Sequence, residues 1–293
     1  MTMLEQVQRG IDYIEAHLDR SFALTDVSRI AGMSHWHFQR MFRALTGETL
    51  MTYVRARRLS RALIRLLDTD DRILEIALDA GFSSHESFTR AFQRTYGLAP
   101  AAFRRLGNRR LFPKKLRIDQ AYLTHVGQHV TREPEIVHRE AMAVVGMQTS
   151  FFGVDSDKNN LAERIPALWD AFTPRMDELE GTRTEYYGLI SCEPHSERLT
   201  YLACGDLGGP PPADMVVDTV PSGTWAVFEH RGPPEQLDHT VNYVYSAWLM
   251  GSKTWRHTYG PDLEIYGPDW APESPQSVMH YAVPVVQPDG SLR

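Results

Sequence analysis

The sequence predicts a multidomain protein of the α and α+β classes. An all-α double helix-turn-helix domain is followed by an α+β domain with pseudo-twofold symmetry. Residues around Phe38 return about fifty positions later around Phe88. Short β-rich runs replace helical periodicity in the second half. The formal charge also changes sign, from +8 over residues 1–117 to −14 over residues 118–293, within a net charge of −6.

The first domain contains a duplicated block. Residues 38–42 (FQRMF) return as 88–92 (FTRAF), and the turn AGMS at 31–34 returns as AGFS at 80–83. Such duplication marks a repeated supersecondary unit. A short helix, a glycine turn and a second helix with an apolar stripe are typical of the helix-turn-helix motif, which places its second helix in the major groove of DNA.

The helices of this domain follow from apolar spacing and capping residues. They are predicted over 5–17, around 27–31, and over 35–45, 50–67, 73–80 and 84–96. Thr25 and Ser34 are predicted to cap the second and third helices, because their hydroxyls can accept a hydrogen bond from a free backbone N–H. Gly47 and Gly97 are predicted to end the second helix of each unit.

The first domain is predicted to span residues 1–107, and residues 108–134 are predicted to form a linker. The basic stretch 104–117 contains Gly, Asn and Pro, which interrupt helical periodicity. It is either a plain connection or a segment that contacts DNA phosphates.

The second domain, predicted over residues 135–293, alternates β-rich runs with two helices. Strands are predicted over 143–147, 186–190, 200–204, 224–228, 262–266 and 279–283, and helices over 160–179 and 234–249. The order strand, helix, strand, strand therefore occurs twice, on either side of the GGPPP loop at 208–212. Two such halves suggest a cleft between them that can take a small molecule.

The second helix of each repeat has polar side chains opposite its apolar stripe. Arg can bridge O6 and N7 of guanine, Gln can bridge N6 and N7 of adenine, and Glu can accept from N4 of cytosine. The candidates for DNA contact are Trp36, Gln39, Arg40 and Arg43 in the first unit and His85, Glu86, Ser87 and Arg90 in the second. The alternative is a solvated helix face and, for Trp36, packing in the core.

The helix over 50–67 sets the spacing of the two units. Its 18 residues span about 27 Å, and successive major-groove segments lie about 34 Å apart. One chain could then place both recognition helices in neighbouring grooves. Arg55, Arg57, Arg58 and Arg61 on this helix are either phosphate contacts or a solvated face.

Residues 8–106 resemble the DNA-binding domain of the AraC/XylS transcriptional regulators, especially over 34–42 (SHWHFQRMF) and 53–59 (YVRARRL). The resemblance implies that Trp36, Gln39 and Arg40 contact bases at one half-site, and that residues 86, 87 and 90 contact bases at the other. It also implies double-stranded DNA and RNA polymerase as partners, with activation favoured over repression. Residues 85–87 (HES) depart from the glutamine-rich stretch common in the family.

Residues 135–286 are similar to the gyrase-inhibitor-like effector-binding domain, which also occurs in multidrug-binding regulators. The similarity lies in 221–230 (PSGTWAVFEH) and 259–266 (YGPDLEIY). It implies a small-molecule effector as a partner and Glu264 as the central acid of its site.

The chemistry of the residues supports an effector site independently. Strand alternation places Glu264 and Tyr266 on one face. A carboxylate among aromatic rings suits a lipophilic cation, through charge pairing and attraction to the ring faces. Candidate walls are Trp169, Tyr187, Trp225, Trp248 and Tyr281. The alternatives are core packing for each aromatic residue and an exposed strand carboxylate for Glu264.

Other classes have less support. The sequence offers no cofactor or phosphate-binding motif, two cysteines make no metal site of their own, and neither a membrane span nor a signal peptide is evident, so we expect a cytoplasmic protein. The favoured function is a ligand-responsive, non-enzymatic transcriptional regulator. Two alternatives are hydrolysis of an electrophile, with Glu264 as general base and Tyr266 or Tyr281 as its partner, and binding of a protein through the acidic half.

Overall fold

The computed structural model describes residues 3–20, 22–46, 48–107, 120–153, 158–180, 184–192, 198–249, 252, 254–258, 260–268, 270–271, 274 and 276–287. The chain divides into two compact units. The first comprises Met1–Gly127 and Val241–Arg256, and the second comprises Gln128–Thr240 and His257–Arg293. Every helix in the described ranges is too short or too polar to cross a bilayer.

The first unit is helical, as predicted. Its helices up to residue 107 are α1 (Met3–Ala16), α2 (Leu24–Ile30), α3 (His35–Thr46), α4 (Leu50–Asp68), α5 (Ile73–Asp79), α6 (His85–Tyr96) and α7 (Pro100–Leu106). α8 (Gln120–Gln128) follows, within the segment interpreted above as a linker. The basic residues 108–117 and Gly47 lie outside the described residues.

One of the predicted helix caps is wrong. Thr25 does not cap α2, because the helix already begins at Leu24 and the residue before it is Ala23, which makes no side-chain cap. Ser34 does cap α3, since its Oγ accepts a hydrogen bond from the N–H of His37 at 3.2 Å. Gly97 ends α6 in the left-handed conformation, with φ +77°.

The two helix-turn-helix units repeat in three dimensions. Gly32 and Gly81 occupy equivalent turns with φ of +70° and +74°, a conformation that disfavours side chains with a Cβ. The apolar stripes of α3 and α6 are buried, and their fully buried members are Phe38 and Phe42 in the first unit and Phe88 and Phe92 in the second. Each second helix is therefore anchored by its aromatic face and leaves the opposite face to solvent.

The arginines of α4 were expected to be either phosphate contacts or a solvated face, and the structure corrects this expectation. Arg57 is neither a phosphate contact nor solvated, because its Nε and Nη2 donate to the buried carboxylate of Glu15 at 2.8 and 3.1 Å. Arg58 is half-buried and donates to two backbone carbonyl oxygens that follow α1. Arg61 is exposed, although its Nη2 donates to the carbonyl of Glu15 at 2.8 Å. Arg55 is exposed and stays a phosphate candidate.

The second unit is built on a curved antiparallel sheet. Its strands are β1 (Glu135–Arg139), β2 (Met142–Phe151), β3 (Tyr186–Cys192), β4 (Leu199–Asp206), β5 (Val216–Val220), β6 (Gly223–Arg231), β7 (Arg256–His257), β8 (Asp262–Tyr266) and β9 (Val278–Val286). The order across the sheet is β1-β6-β9-β8-β3-β4-β2-β5, and β7 pairs with β9.

The pseudo-twofold symmetry is visible in this order. The series β2, α9 (Leu161–Phe172), β3, β4 matches the series β6, α10 (Leu237–Tyr243), β8, β9. β3 and β8 are neighbours at the centre, and Gly188 opposite Glu264 is the middle pair of their register. The fold class predicted from the sequence is confirmed. β1, β5 and β7 are strands that the β-rich runs did not indicate.

The two faces of the sheet have separate cores. One face carries Tyr187, Leu189, Trp225, Leu263 and Ile265 among its buried residues. The other face is covered by α9, and its core includes Leu168, Phe172, Tyr201 and Ala203. Because side chains alternate along β8, Glu264 shares the face that α9 covers.

Candidate DNA-binding surface and effector site

The first recognition helix, α3, presents its predicted side chains to solvent. Gln39, Arg40 and Arg43 are exposed, and Trp36 is 65% exposed, so core packing of Trp36 is excluded. The guanidinium carbon of Arg40 lies 5.2 Å from the centre of the Trp36 ring, a cation–π geometry that restrains the arginine. Gln39 Nε2 lies 3.0 Å from Nε2 of His35.

The second recognition helix, α6, differs from α3 because one of its predicted contact residues is not exposed. His85, Glu86 and Arg90 are exposed, whereas Ser87 is half-buried. Ser87 and Ser84 form a capping box, in which Ser84 Oγ accepts from the N–H of Ser87 at 3.1 Å and Ser87 Oγ donates to the carbonyl of Ser84 at 2.8 Å. The hydroxyl proton of Ser87 is therefore used within the helix start.

Glu86 lies in the first turn of α6 and stays ionised near neutral pH. A hydrogen bond from its own backbone N–H lowers the pKa of its carboxyl group, and Ser84, His85 and Arg90 lower it further. An ionised carboxylate accepts hydrogen bonds and repels phosphate. At a DNA surface, a group of this kind is suited to base selection and opposes binding of the phosphate backbone.

In the second unit, Glu264 lies at the centre of a polar cluster inside the protein. It is only 7% exposed, which excludes the exposed-carboxylate alternative. Tyr201 Oη donates to Glu264 Oε2 at 2.5 Å, and Tyr266 Oη donates to the same oxygen. No hydrogen bond from the described residues reaches Oε1 of Glu264.

Aromatic rings surround this carboxylate. Trp169 Nε1 donates to Tyr201 Oη at 3.0 Å, and the Trp169 and Tyr266 rings meet edge to face with centres 4.8 Å apart. Trp270 packs on Tyr266 at the same separation. These contacts order the two phenols that bind Glu264 and line its surroundings with π-faces.

A glycine makes room for the cluster. Gly188 lies opposite Glu264 in the pairing of β3 with β8. A Cβ atom at this position would lie 2.0 Å from Tyr201 Oη and 2.9 Å from Glu264 Oε2. Any larger residue would therefore displace the hydrogen bond between the tyrosine and the acid.

Burial changes the acidity of Glu264. Loss of water raises the pKa of its carboxyl group to about 7, although the hydrogen bonds from Tyr201 and Tyr266 oppose this increase. The nearby charge of Asp262 raises the pKa further. Near pH 7 the group can thus change its charge in response to what lies beside it.

Asp262, two residues before Glu264, is buried with different partners. His257 Nε2 lies 3.1 Å from Asp262 Oδ1, and Tyr281 Oη donates to Oδ2 at 2.6 Å. His257 and Tyr281 are buried too. Both oxygens of Asp262 are therefore occupied by groups of the protein.

The structure brings together some of the residues suggested for the effector site and separates others. Trp169 and Tyr266 surround Glu264, and Tyr281 is the cross-strand neighbour of Glu264. Tyr187 and Trp225 lie in the core of the opposite face. Trp248 belongs to the segment grouped with the first unit.

Sequence analysis missed Tyr201 and His257. Tyr201 lies in a predicted strand, but alternation within that strand does not show whether its side chain is on the same face of the sheet as Glu264. His257 lies on a two-residue strand that leaves no periodic signal. The described residues contain no cluster of His, Cys, Asp and Glu suited to a metal ion.

Comparison with known families identifies both parts of the chain. A helix-turn-helix domain family of the AraC type matches residues 27–106, and the GyrI-like small molecule binding domain matches residues 132–286, more than half of the chain. The chain therefore belongs to the GyrI-like family and is an AraC-type DNA-binding transcriptional regulator that carries a small-molecule-binding domain.

Curated relatives match the DNA-binding part. The Right origin-binding protein of Escherichia coli K12 is 45% identical over 93 residues, 32% of each chain. The regulatory protein SoxS of Salmonella typhimurium is 36% identical over 104 residues, 36% of this chain and 97% of SoxS. The chain thus matches about a third of the Right origin-binding protein.

Solved structures resemble each part separately. The DNA-binding domain of AdpA in complex with a target DNA is 29% identical, with a TM-score of 0.33, and covers 34% of this chain and 90% of its own. SAV2435 bound to tetraphenylphosphonium is 17% identical, with a TM-score of 0.43, and covers 53% of this chain and 94% of its own.

Proposed function

We propose that this regulator responds to a lipophilic monocation that binds beside Glu264, and that it activates transcription in contact with RNA polymerase without catalysing a reaction of its own. The supporting observation is the unequal use of the carboxylate: both phenols bind Oε2, and Oε1 has no donor among the described residues. A buried carboxylate with one oxygen that accepts no hydrogen bond from the described residues attracts a positively charged partner.

The aromatic surroundings favour an organic cation over a metal ion. Trp169 and Tyr266 offer ring faces and edges, and a cation over a desolvated ring gains about 2 kcal/mol or more. A metal ion would need several oxygen or nitrogen ligands. A large cation needs only one carboxylate and apolar walls.

A pair of ions with the same shape tests this proposal. Tetraphenylphosphonium and tetraphenylborate differ mainly in the sign of their charge, so size and apolarity are matched. We expect the purified full chain to bind the phosphonium at least about tenfold more tightly than the borate by calorimetry, a difference of about 1.4 kcal/mol. Glu264→Gln should abolish this preference, and Glu140→Gln, at an exposed carboxylate, should leave it intact.

Equal binding of both ions, or a preference that survives Glu264→Gln, would reject the cation site. Turnover of an electrophilic compound that disappears in Glu264→Gln would instead support the hydrolase alternative, since the same buried acid can serve as a general base. Failure of every small molecule to bind, with a protein that copurifies, would support the protein-binding alternative.

For DNA, we propose that Arg40 and Arg90 read bases, with Gln39, Trp36 and Glu86 contributing to selection. The support is that the two arginines occupy equivalent places in the repeat and that both are exposed. Lysine substitution separates base contacts from phosphate contacts, because it keeps the charge and loses the bidentate fork of arginine.

Selection from a random duplex pool would define the preferred sequence. Arg40→Lys and Arg90→Lys should then each lose about 1–3 kcal/mol of preference at one half-site and keep most of the affinity for unrelated DNA. Full preference in both lysine variants would show that the arginines contact only phosphates.

A further inference from the structure

The two acids on the same face of β8 have different hydrogen-bond partners. Asp262 and Glu264 are separated by one residue, so their positions lie about 6.6 Å apart along the strand. Both are buried. One organic cation could therefore reach from one carboxylate to the other if both were available.

The hydrogen bonds make only one of them available. Glu264 accepts two neutral phenol donors on a single oxygen. Asp262 has a donor on each oxygen, Tyr281 on Oδ2 and the imidazole of His257 on Oδ1. The imidazole can also carry a positive charge, which would cancel that of the aspartate.

We propose that His257 and Tyr281 determine the charge specificity of the effector site. By occupying both oxygens of Asp262, they limit the site to one anionic acceptor and so select ligands with a single positive charge. This inference depends on the proposed cation site at Glu264. It predicts that a freed Asp262 becomes a second anionic subsite for a dication.

Two phosphonium probes of similar shape can test the inference. 4-Methylbenzyl-triphenylphosphonium carries one charge, and 4-(aminomethyl)benzyl-triphenylphosphonium carries a second charge on an ammonium group. Binding of both to the full chain would be measured by calorimetry, in the wild type and in His257→Ala. Circular dichroism would verify folding of each variant.

We expect the wild type to bind the dication no more tightly than the monocation. In His257→Ala the dication should gain at least about tenfold relative to the monocation, because Asp262 then lacks its nitrogen donor. Tyr281→Phe, which keeps the ring, should shift the ratio in the same direction. Adding Asp262→Asn to either variant should remove the gain.

An unchanged ratio in folded His257→Ala and Tyr281→Phe would overturn the inference. If His257→Ala does not fold, Tyr281→Phe alone decides. A wild type that already prefers the dication tenfold would also overturn it, since Asp262 would then be accessible. If the wild type binds neither probe, the proposed cation site itself is rejected, and the inference falls with it.

Discussion

At the scale of single residues, Glu264 links acidity to stability. Its pKa is about 7 in the folded chain, above the ordinary glutamate value of about 4.5, because burial disfavours the charged form. The folded state thus keeps a proton that the unfolded chain loses between these values. This contribution to stability is fully present below about pH 4.5 and is lost as the pH rises through about 7.

Glu264→Gln should remove this pH dependence. Between pH 4.5 and pH 8 the wild type should lose up to about 3 kcal/mol of unfolding free energy more than the variant does, from 1.36 kcal/mol per unit of pKa change. Urea denaturation of both proteins at several pH values measures the difference. Parallel pH curves would mean that Glu264 ionises normally in the fold.

The same acid should make cation binding depend on pH. Below about pH 7 a proton occupies Glu264 in the empty site, and a cation must displace it. Tetraphenylphosphonium should therefore bind about tenfold more weakly at pH 6 than at pH 8. Whatever binding remains in Glu264→Gln should not vary in this way, and an equal pH effect in that variant would assign the titration to another group.

Prediction of single residues from the sequence succeeded where the placement of a side chain depends on one strand alone. Alternation along a single strand correctly placed Glu264 with Tyr266, because it needs no knowledge of neighbouring strands. The separation of Tyr187 from Glu264 depends on the register of β3 against β8, which joins residues almost eighty positions apart. That register is a tertiary property, and no local pattern in the sequence specifies it.

At the scale of elements, α4 is held to α1 by a buried ion pair. Glu15 accepts two hydrogen bonds from Arg57 and one from Tyr53, and the side chains of Glu15 and Arg57 are only 10% and 13% exposed. Burial opposes the charge of Arg57, but its bonds to Glu15 outweigh that effect and raise the pKa of the guanidinium above its usual value. The guanidinium of Arg57 therefore keeps its charge inside the protein.

Arg57→Met should destabilise the first unit by about 3–5 kcal/mol, because Glu15 would be left buried without its cation. Arg55→Met on the same helix is the matched control, and it should change stability by less than about 0.5 kcal/mol, because Arg55 is exposed. Thermal or urea denaturation of the full chain measures both. Similar effects of the two substitutions would mean that the pair does not support the helix packing.

Most elements were predictable from periodicity and caps, and the exceptions have physical reasons. β1 and β5 are edge strands with mostly exposed side chains, so they lack an apolar alternation. α7 is a seven-residue helix, too short for a clear apolar period, and it starts at Pro100. Proline favours the first turn of a helix as much as the end of the preceding one.

At the scale of the whole molecule, effector and DNA binding must be linked if the chain is a switch. An effector changes DNA affinity only when it binds DNA-competent and DNA-incompetent states unequally. Residues 1–117 are basic and residues 118–293 are acidic, so we expect the acidic part to repel DNA and the basic part to make the contact.

The effects of the two ligands on each other's affinity must be reciprocal, and this requirement can be tested. If tetraphenylphosphonium changes affinity for the selected DNA by a factor of about 5–150, that DNA must change affinity for the phosphonium by the same factor. Titrations of each ligand in the presence and absence of the other measure the two factors. Binding of both with a factor of one would exclude control of transcription through DNA affinity.

The middle pair of the central strands has a consequence for how many ligands one chain can take. The two halves of the sheet repeat the same scaffold, but the positions that meet at the symmetry axis are a carboxylate and a glycine. A second acid at 188 would crowd Tyr201 Oη and Glu264 out of their places. This central pair therefore carries one carboxylate and not two, and saturation should come at a single equivalent per polypeptide.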